Sequence, residues 1–191
     1  PFRWNVPMIG IISRLTGQKG FDIIMGMAQA LLQQNVQLIV LGSGEDKYET
    51  AFASLAKMFP DKVGTYLGFN NELAHLIEAG ADMFLMPSLY EPCGLNQMYS
   101  LRYGTVPIVR ATGGLDDTVE NVSEDGQYGT GFKFTNYTSN DLYNTVIRAL
   151  AFYQMPEVWR GIMFRGMMQD NSWEKAAKEY EALYAKILSY Q

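Results

Sequence analysis

Chemistry-bearing side chains are scarce in this sequence. Its 191 residues hold one cysteine, Cys93, and one histidine, His75. A single cysteine excludes an intramolecular disulfide, and one Cys with one His cannot complete a tetrahedral zinc site. The lone His also leaves few routes to a Ser-His-Asp or Cys-His nucleophile. Positive charge is short as well: 15 Lys and Arg face 20 Asp and Glu, for a net charge of -5. Duplex nucleic acid needs the opposite balance to neutralise its phosphates, so no nucleic-acid partner is expected. No run approaches the ~20 apolar residues that span a bilayer, and no signal-peptide pattern opens the chain; the expectation is a soluble, intracellular protein with no membrane partner. The sequence starts at Pro1 rather than Met, which raises the expectation of a piece of something longer.

What is present is order. Apolar residues make up 48% of the chain, enough for one core of the size expected at roughly 150–200 residues. Short apolar runs alternate with amphipathic stretches, the pattern of βα units in a parallel sheet covered on both faces. Met8-Ile9-Gly10-Ile11-Ile12 reads as a buried strand, and Phe21, Ile24, Met27, Ala28, Leu31 and Leu32 then recur at helical spacing. Further strands are predicted at 36–41, 63–67, 83–87, 106–109 and, shorter, 131–134, with helices near 48–59, 72–79 and 95–103. The tail reads as helical over 141–153, 157–168 and 173–189, where Trp173, Tyr180, Leu183 and Tyr184 share a face expected to be core. Together these give a single α/β domain over 1–191, a doubly wound parallel sheet of Rossmann-like type. Ligands of such sheets bind at the carboxyl ends of the strands.

Four loops fall there. In Ser13–Gly20, Arg14 and Lys19 can grip a diphosphate, Arg as a fork and Lys as a point charge; the competing reading is a solvated turn. Leu41-Gly42-Ser43-Gly44 is a G-x-G without a third glycine, either an ordinary turn or a place where Gly42 lets a ligand pass close to the backbone. In Glu91-Pro92-Cys93-Gly94-Leu95-Asn96-Gln97, Leu95 and Asn96 open a helix whose first N–H groups can hold an anion. Glu91 suits the hydroxyls of a neutral polyol attached to that anion, or else caps its own helix. Cys93 is read as a small buried hydrophobe and His75 as a surface or structural residue. Thr112-Gly113-Gly114-Leu115 ends the set, with N–H groups free for phosphate or sugar oxygens, or again a turn.

Taken in order, Ser13-Arg14-Leu15 with Gln18-Lys19-Gly20, Leu41-Gly42-Ser43-Gly44, Ala81-Asp82, Pro87-Ser88, Glu91-Pro92-Cys93-Gly94-Leu95, Ala111–Val119, and Ser172-Trp173 with Ala176-Ala177 and Tyr180 resemble one family. It is the C-terminal half of bacterial glycogen synthases and plant starch synthases, retaining glucosyltransferases of the GT-B type. The resemblance runs from about Met8 to Tyr184; each piece is weak and the ordered set is specific. It implies the C-terminal domain of a GT-B fold, in which Arg14 and Lys19 neutralise the donor diphosphate and Glu91 contacts the glucose hydroxyls. Gly94, Leu95 and Asn96 then offer N–H groups to the distal phosphate, and Gly42, Thr112, Gly113 and Gly114 lie close to the donor. Phe69 stands where the family stacks an aromatic on the nucleobase. Two positions depart from the pattern: Tyr99 stands where the wider E-x7-E motif has its second Glu, and Leu89 where an Arg is common. The resemblance further implies transfer of glucose from ADP-glucose or UDP-glucose to the 4-OH end of an α-1,4-glucan, with retention, without a metal or other cofactor. The family's N-terminal domain, with its K-x-G-G-L loop, Asp and His, has no counterpart here, so the chain alone is expected to be inactive. A bacterial cytoplasm is the expected location, a plastid the alternative. Other readings left open are the donor lobe of a different GT-B enzyme, such as a sucrose-phosphate-type transferase or an epimerase, and a non-catalytic nucleotide-binding module.

Overall fold

Parallel strands buried on both faces must be apolar, and in the computed structural model, which describes residues 6–189, the central strands follow the apolar runs while the edge strands are partly polar or exposed. The strands are β1 (Met8–Ile12), β2 (Gln37–Gly42), β3 (Val63–Leu67), β4 (Met83–Met86), β5 (Val106–Arg110) and β6 (Phe132–Phe134). All pair in parallel, in the order β3-β2-β1-β4-β5-β6. The chain therefore winds outward from β1 to one edge, returns, and winds out from β4 to the other. The switch point lies between β1 and β4, where successive loops part and leave a crevice.

Helices cover the sheet. They are α1 (Phe21–Gln33), α2 (Asp46–Met58), α3 (Asn71–Gly80), α4 (Asn96–Tyr103), α5 (Gly113–Thr118), α6 (Ser139–Tyr153), α7 (Pro156–Met168) and α8 (Trp173–Leu188). α1 packs on α6, α3 on α4, and α4 on α7. Phe21, Phe52, Phe84 and Phe132 are the largest side chains removed from solvent. Asn70, Thr138 and Ser172 cap α3, α6 and α8 by accepting the N–H of Leu73, Asp141 and Lys175. Gly10 is required where α3 crosses β1, since a Cβ there would lie 2.9 Å from Ile77 Cγ2. No helix among the described residues is long and apolar enough to cross a membrane.

α8 corrects one expectation. Its apolar residues share a face, but that face is not core: no residue of α8 is buried, and Trp173 is 90% exposed. Tyr180, Leu183 and Tyr184 are likewise exposed. Periodicity identifies an apolar face; it does not say that the covering surface belongs to the same stretch of chain.

Candidate functional site

The loop after β1 is held from both sides. Leu15, fully buried, donates its N–H to Ser43 O (2.9 Å) and accepts from Glu45 N (2.8 Å). The G-x-G segment exists for this contact: a Cβ on Gly42 would lie 1.9 Å from Ser13 O, and one on Gly44 2.3 Å from Leu15 O. The close approach that Gly42 permits is therefore taken by the chain's own backbone. Gly17 N donates to Glu45 Oε1 at 2.9 Å, and the Lys47 ammonium, followed by that N–H, holds the Glu45 carboxyl below its usual range. A 3-10 turn, Gly17–Lys19, then delivers the chain into α1.

This turn lies against the loop after β4. Gly20, at φ 82°, would meet Pro87 O at 2.2 Å if it carried a Cβ, so only glycine lets the two loops run side by side. Leu89 N donates to Gln18 O (2.8 Å) and Gln18 Nε2 to Tyr90 O (3.3 Å). Lys19 Nζ lies 2.5 Å from Glu91 Oε2, and Ser88 Oγ donates to the same oxygen at 3.2 Å. Glu91 is 8% exposed. The paired cation and the hydroxyl account for a carboxylate held out of water at a loop tip. Both partners use Oε2. Arg14, in contrast, is exposed and has no ion-pair partner among the described residues.

α4 begins at the same place. Gly94 turns the chain at φ 76°, and Asn96 Nδ2 donates to Ile12 O at 3.1 Å, tying the helix start to the end of β1. The N–H groups of Asn96 and Gln97, in the first turn, have no intrahelical acceptor. A cavity of about 310 Å³ is lined by Ser13, Arg14, Lys19, Ser88, Glu91, Gly94, Leu95 and Asn96, with Ile11, Phe21 and Leu85 among its apolar walls. The expected diphosphate and sugar residues thus share one concave site at the switch point.

The remaining predicted residues lie around this cavity rather than in it. Phe69 is 89% exposed beyond the end of β3, two strands away from β1. Tyr99 is 44% exposed on α4. Thr112, Gly113 and Gly114 follow β5, and a Cβ on Gly113 or Gly114 would strike Glu91 O (2.3 Å) or Cys93 O (2.0 Å). Gly114 N donates to Glu91 O at 3.0 Å. The expectation of a free N–H at Gly114 is corrected accordingly: this glycine pair seats the Glu91 loop. Cys93 is exposed rather than buried, because the kink at Gly94 turns it outward ahead of the helix. His75 is half-exposed on α3, with Nδ1 3.8 Å from the Glu78 carboxylate, away from the site. Among the described residues no group of three or more His, Cys, Asp or Glu could hold a metal ion.

Three residues outside the predicted set complete the frame. Gln97 is fully buried, and its Nε2 reaches Cys93 O, Gly94 O and Thr118 Oγ1 at 3.0–3.2 Å. Arg110 and Tyr137 bridge the loops from the far side. Burial, then the adjacent Asp22 carboxylate, raises the Tyr137 phenol well above its ordinary range, so it stays a donor. Gln97 adjoins a motif and was within reach of sequence reasoning; Arg110 and Tyr137 stand at no telling spacing.

The sequence profile of the family described as Glycosyl transferases group 1 matches residues 2–160. The chain is 54% identical over 187 residues to a glycogen synthase of Anaeromyxobacter dehalogenans, covering 98% of this chain and 39% of the relative. It is 49% identical over 188 residues to a glycogen synthase of Clostridium perfringens, with the same shares. The chain thus spans about 39% of the length of these curated relatives. Among solved structures, the catalytic domain of starch synthase IV from Arabidopsis thaliana, bound to ADP and acarbose, superposes with a TM-score of 0.85 at 33% identity over 98% of this chain and 39% of that one. Sucrose-phosphate synthase from Thermosynechococcus elongatus, at TM-score 0.69 and 23% identity over 97% of this chain and 46% of that one, shares the fold. With the family profile matched over most of its length, and a Rossmann-like sheet of the GT-B kind presenting cations at its switch point, the chain belongs to the group 1 glycosyl transferases.

Proposed function

We propose that this chain is the donor-binding lobe of a glycogen or starch synthase. It holds a nucleoside-diphosphate glucose, ADP-glucose ahead of UDP-glucose, at the carboxyl edge of the sheet. A second lobe, outside these residues, brings the α-1,4-glucan, whose 4-OH receives glucose with retention. The observation that carries the reading is the junction of Arg14, without an ion-pair partner among the described residues, the Lys19–Glu91 pair and the first turn of α4 around one cavity.

The chemistry follows from charge. As the glycosidic bond to phosphate breaks, negative charge grows on the departing diphosphate. Arg14, Lys19 and the N–H groups at the start of α4 are fixed beforehand where that charge develops, so their stabilisation is greatest in the transition state. Glu91 serves the sugar. Lys19 and Ser88 occupy its Oε2, which leaves Oε1 to accept from glucose hydroxyls. The reading assigns the leaving-group charge to these groups and calls for no metal or other cofactor.

Kinship supports both donor and acceptor: the starch synthase neighbour is bound to ADP and to acarbose, and the relatives named above are glycogen synthases. The uncovered face of α8 and the 39% share of the relatives support a second lobe. Bacterial relatives support a bacterial cytoplasm over a plastid. Titrating the purified chain with ADP-glucose, UDP-glucose, NAD and FMN tests the reading. Amide shifts at Arg14, Lys19 and Gly94 with ADP-glucose, and none with NAD or FMN, are expected; failure of every nucleotide to bind would overturn it.

A further inference from the structure

Arg110 ends β5 and has no ion-pair partner among the described residues. Its Nη1 donates to Leu89 O (2.5 Å) and Ser88 O (3.4 Å) in the loop that carries Glu91, and its Nε to Thr135 O (3.3 Å) in the loop after β6. The guanidinium lies 5.5 Å from the centre of the Tyr137 ring. The Tyr137 hydroxyl in turn donates to Asp22 Oδ1 at 2.5 Å and lies 3.2 Å from Gly17 O, so it touches the start of the turn that carries Lys19 and the first turn of the helix that follows. On the near side, the same two loops are already joined by Leu89 N to Gln18 O and by Lys19 to Glu91. The contacts therefore close a ring: Lys19 turn, Glu91 loop, Arg110, Tyr137, and back to the Lys19 turn.

An open seam lets one loop slide along the other; a closed ring does not, because any relative displacement breaks a contact on the far side. We propose that Arg110 and Tyr137 are positioning residues that fix the spacing between the diphosphate-binding turn and the sugar-binding loop. The inference rests on the donor reading above for what the two loops hold, and on the contacts alone for the brace itself. Three features favour this role over generic stabilisation. Neither side chain is among the fully buried core residues, although the Tyr137 ring packs against them. Arg110 acts on backbone carbonyls of the loops, and Tyr137 on Gly17 O and the Asp22 carboxylate at the start of α1, rather than on the sheet. Arg also does what Lys cannot, since a planar fork bonds two loops at once while stacking on an aromatic ring. Its charge has no compensating acid among the described residues and adds to that of Arg14 at the same edge.

Arg110→Lys separates spacing from charge, and Tyr137→Phe keeps the ring while removing the hydroxyl. In Arg110→Lys, the amides of Leu89 and Gly114, whose acceptors lie across the loop seams, are expected to exchange about tenfold faster, while those of Leu85 and Ile108 in the sheet keep their protection. ADP-glucose affinity should fall about tenfold and ADP affinity only about twofold, because the Glu91 side loses its register while the charge remains. Tyr137→Phe should loosen the Lys19 turn and weaken ADP and ADP-glucose together by about threefold, with sheet protection unchanged. Unchanged exchange at Leu89 and Gly114 would overturn the brace. So would an Arg110→Lys variant that weakens both ligands by the same factor alongside a general loss of protection, the mark of a structural residue. If the unsubstituted chain binds neither ligand while Leu89 and Gly114 still respond, the donor reading falls and the brace stands.

Discussion

Replacing Glu91 by Gln should move the affinities for ADP and ADP-glucose in opposite directions. In the free chain Lys19 Nζ sits 2.5 Å from Glu91 Oε2, with side chains only 20% and 10% exposed. A charge-assisted hydrogen bond in that setting is worth about 1.5–3 kcal/mol. A diphosphate must draw Lys19 partly away from this partner and tolerate a carboxylate nearby. Glu91→Gln removes both costs; if half of the pair energy is recovered, ADP binds tighter by about 1 kcal/mol, roughly fivefold. ADP-glucose also gains this, but it loses the carboxylate acceptor for its hydroxyls, about 1.5–3 kcal/mol, and so binds more weakly on balance. The ratio of the two dissociation constants should therefore change by about 10- to 100-fold. Isothermal titration calorimetry at a fixed ionic strength near 0.1 M reads both, since screening would otherwise blur the comparison. The substitution also strips Lys19 of its partner, so thermal unfolding should confirm that the variant is folded at the titration temperature. Equal changes for the two ligands would refute the reasoning, because they would mean that Glu91 does not distinguish sugar from diphosphate.

The other predictions separate charge, backbone clearance and burial. Arg14→Ala in the full-length enzyme should lower kcat/KM by roughly 10²–10³, the scale of a lost oxyanion donor; because Arg14 is exposed and has no ion-pair partner among the described residues, calorimetric Tm should barely move. Gly114→Ala puts a Cβ 2.0 Å from Cys93 O and should cost about 1–3 kcal/mol in urea unfolding, whereas Gly80→Ala, with nothing within 4 Å, should be neutral or stabilising. Glu78 is 3% exposed, and burial pushes its carboxyl from 4.5 up to about 7. Its proton is held more tightly in the folded state, so its contribution is fully present below about pH 4.5 and is lost as pH rises through 7, amounting to about 3 kcal/mol. A protonated His75, 3.8 Å away, would favour the carboxylate and flatten this slope. Glu78→Gln should match the parent chain at pH 4.5 and exceed its stability at pH 8; unfolding midpoints that track each other across that range would sink this assignment.

The sheet was legible because parallel strands carry their burial in their composition. β1 is apolar along its length, β2 from Leu38 onward and β5 up to Val109, and even the three-residue β6 (Phe132–Phe134) stands out by its two buried aromatics. The site loops were legible because they follow strands, and the carboxyl edge is where such folds bind ligands. What the glycines accommodate was not legible. Gly42, Gly113 and Gly114 do face a close backbone, but it belongs to Ser13, Glu91 and Cys93, and no local pattern tells a ligand from a neighbouring loop. Arg110 and Tyr137 escaped notice for a related reason. Their partners lie 21 and 120 residues away, at Leu89 and Gly17, so neither belongs to a motif with a spacing to read. α8 failed in the opposite sense: its pattern was plain, but none of the described residues buries that face.

The scarcity of positive charge in the chain bears on how such a site would work. A domain of net charge -5 repels a nucleotide sugar at long range, yet at physiological salt that field is screened beyond about 8 Å. Among the charged groups that line the cavity the count differs: Lys19 and Glu91 cancel as point charges, and Arg14 has no carboxylate partner among the described residues. Added to them are the N–H groups at the start of α4, whose dipoles point where an anion would sit. The attraction is therefore short-range and directional. Such a field contributes little to diffusional steering and much to holding an anion already in place, which is the property required of a group that stabilises a departing diphosphate. Acidic composition and anion binding are compatible in this chain because the two are read at different distances.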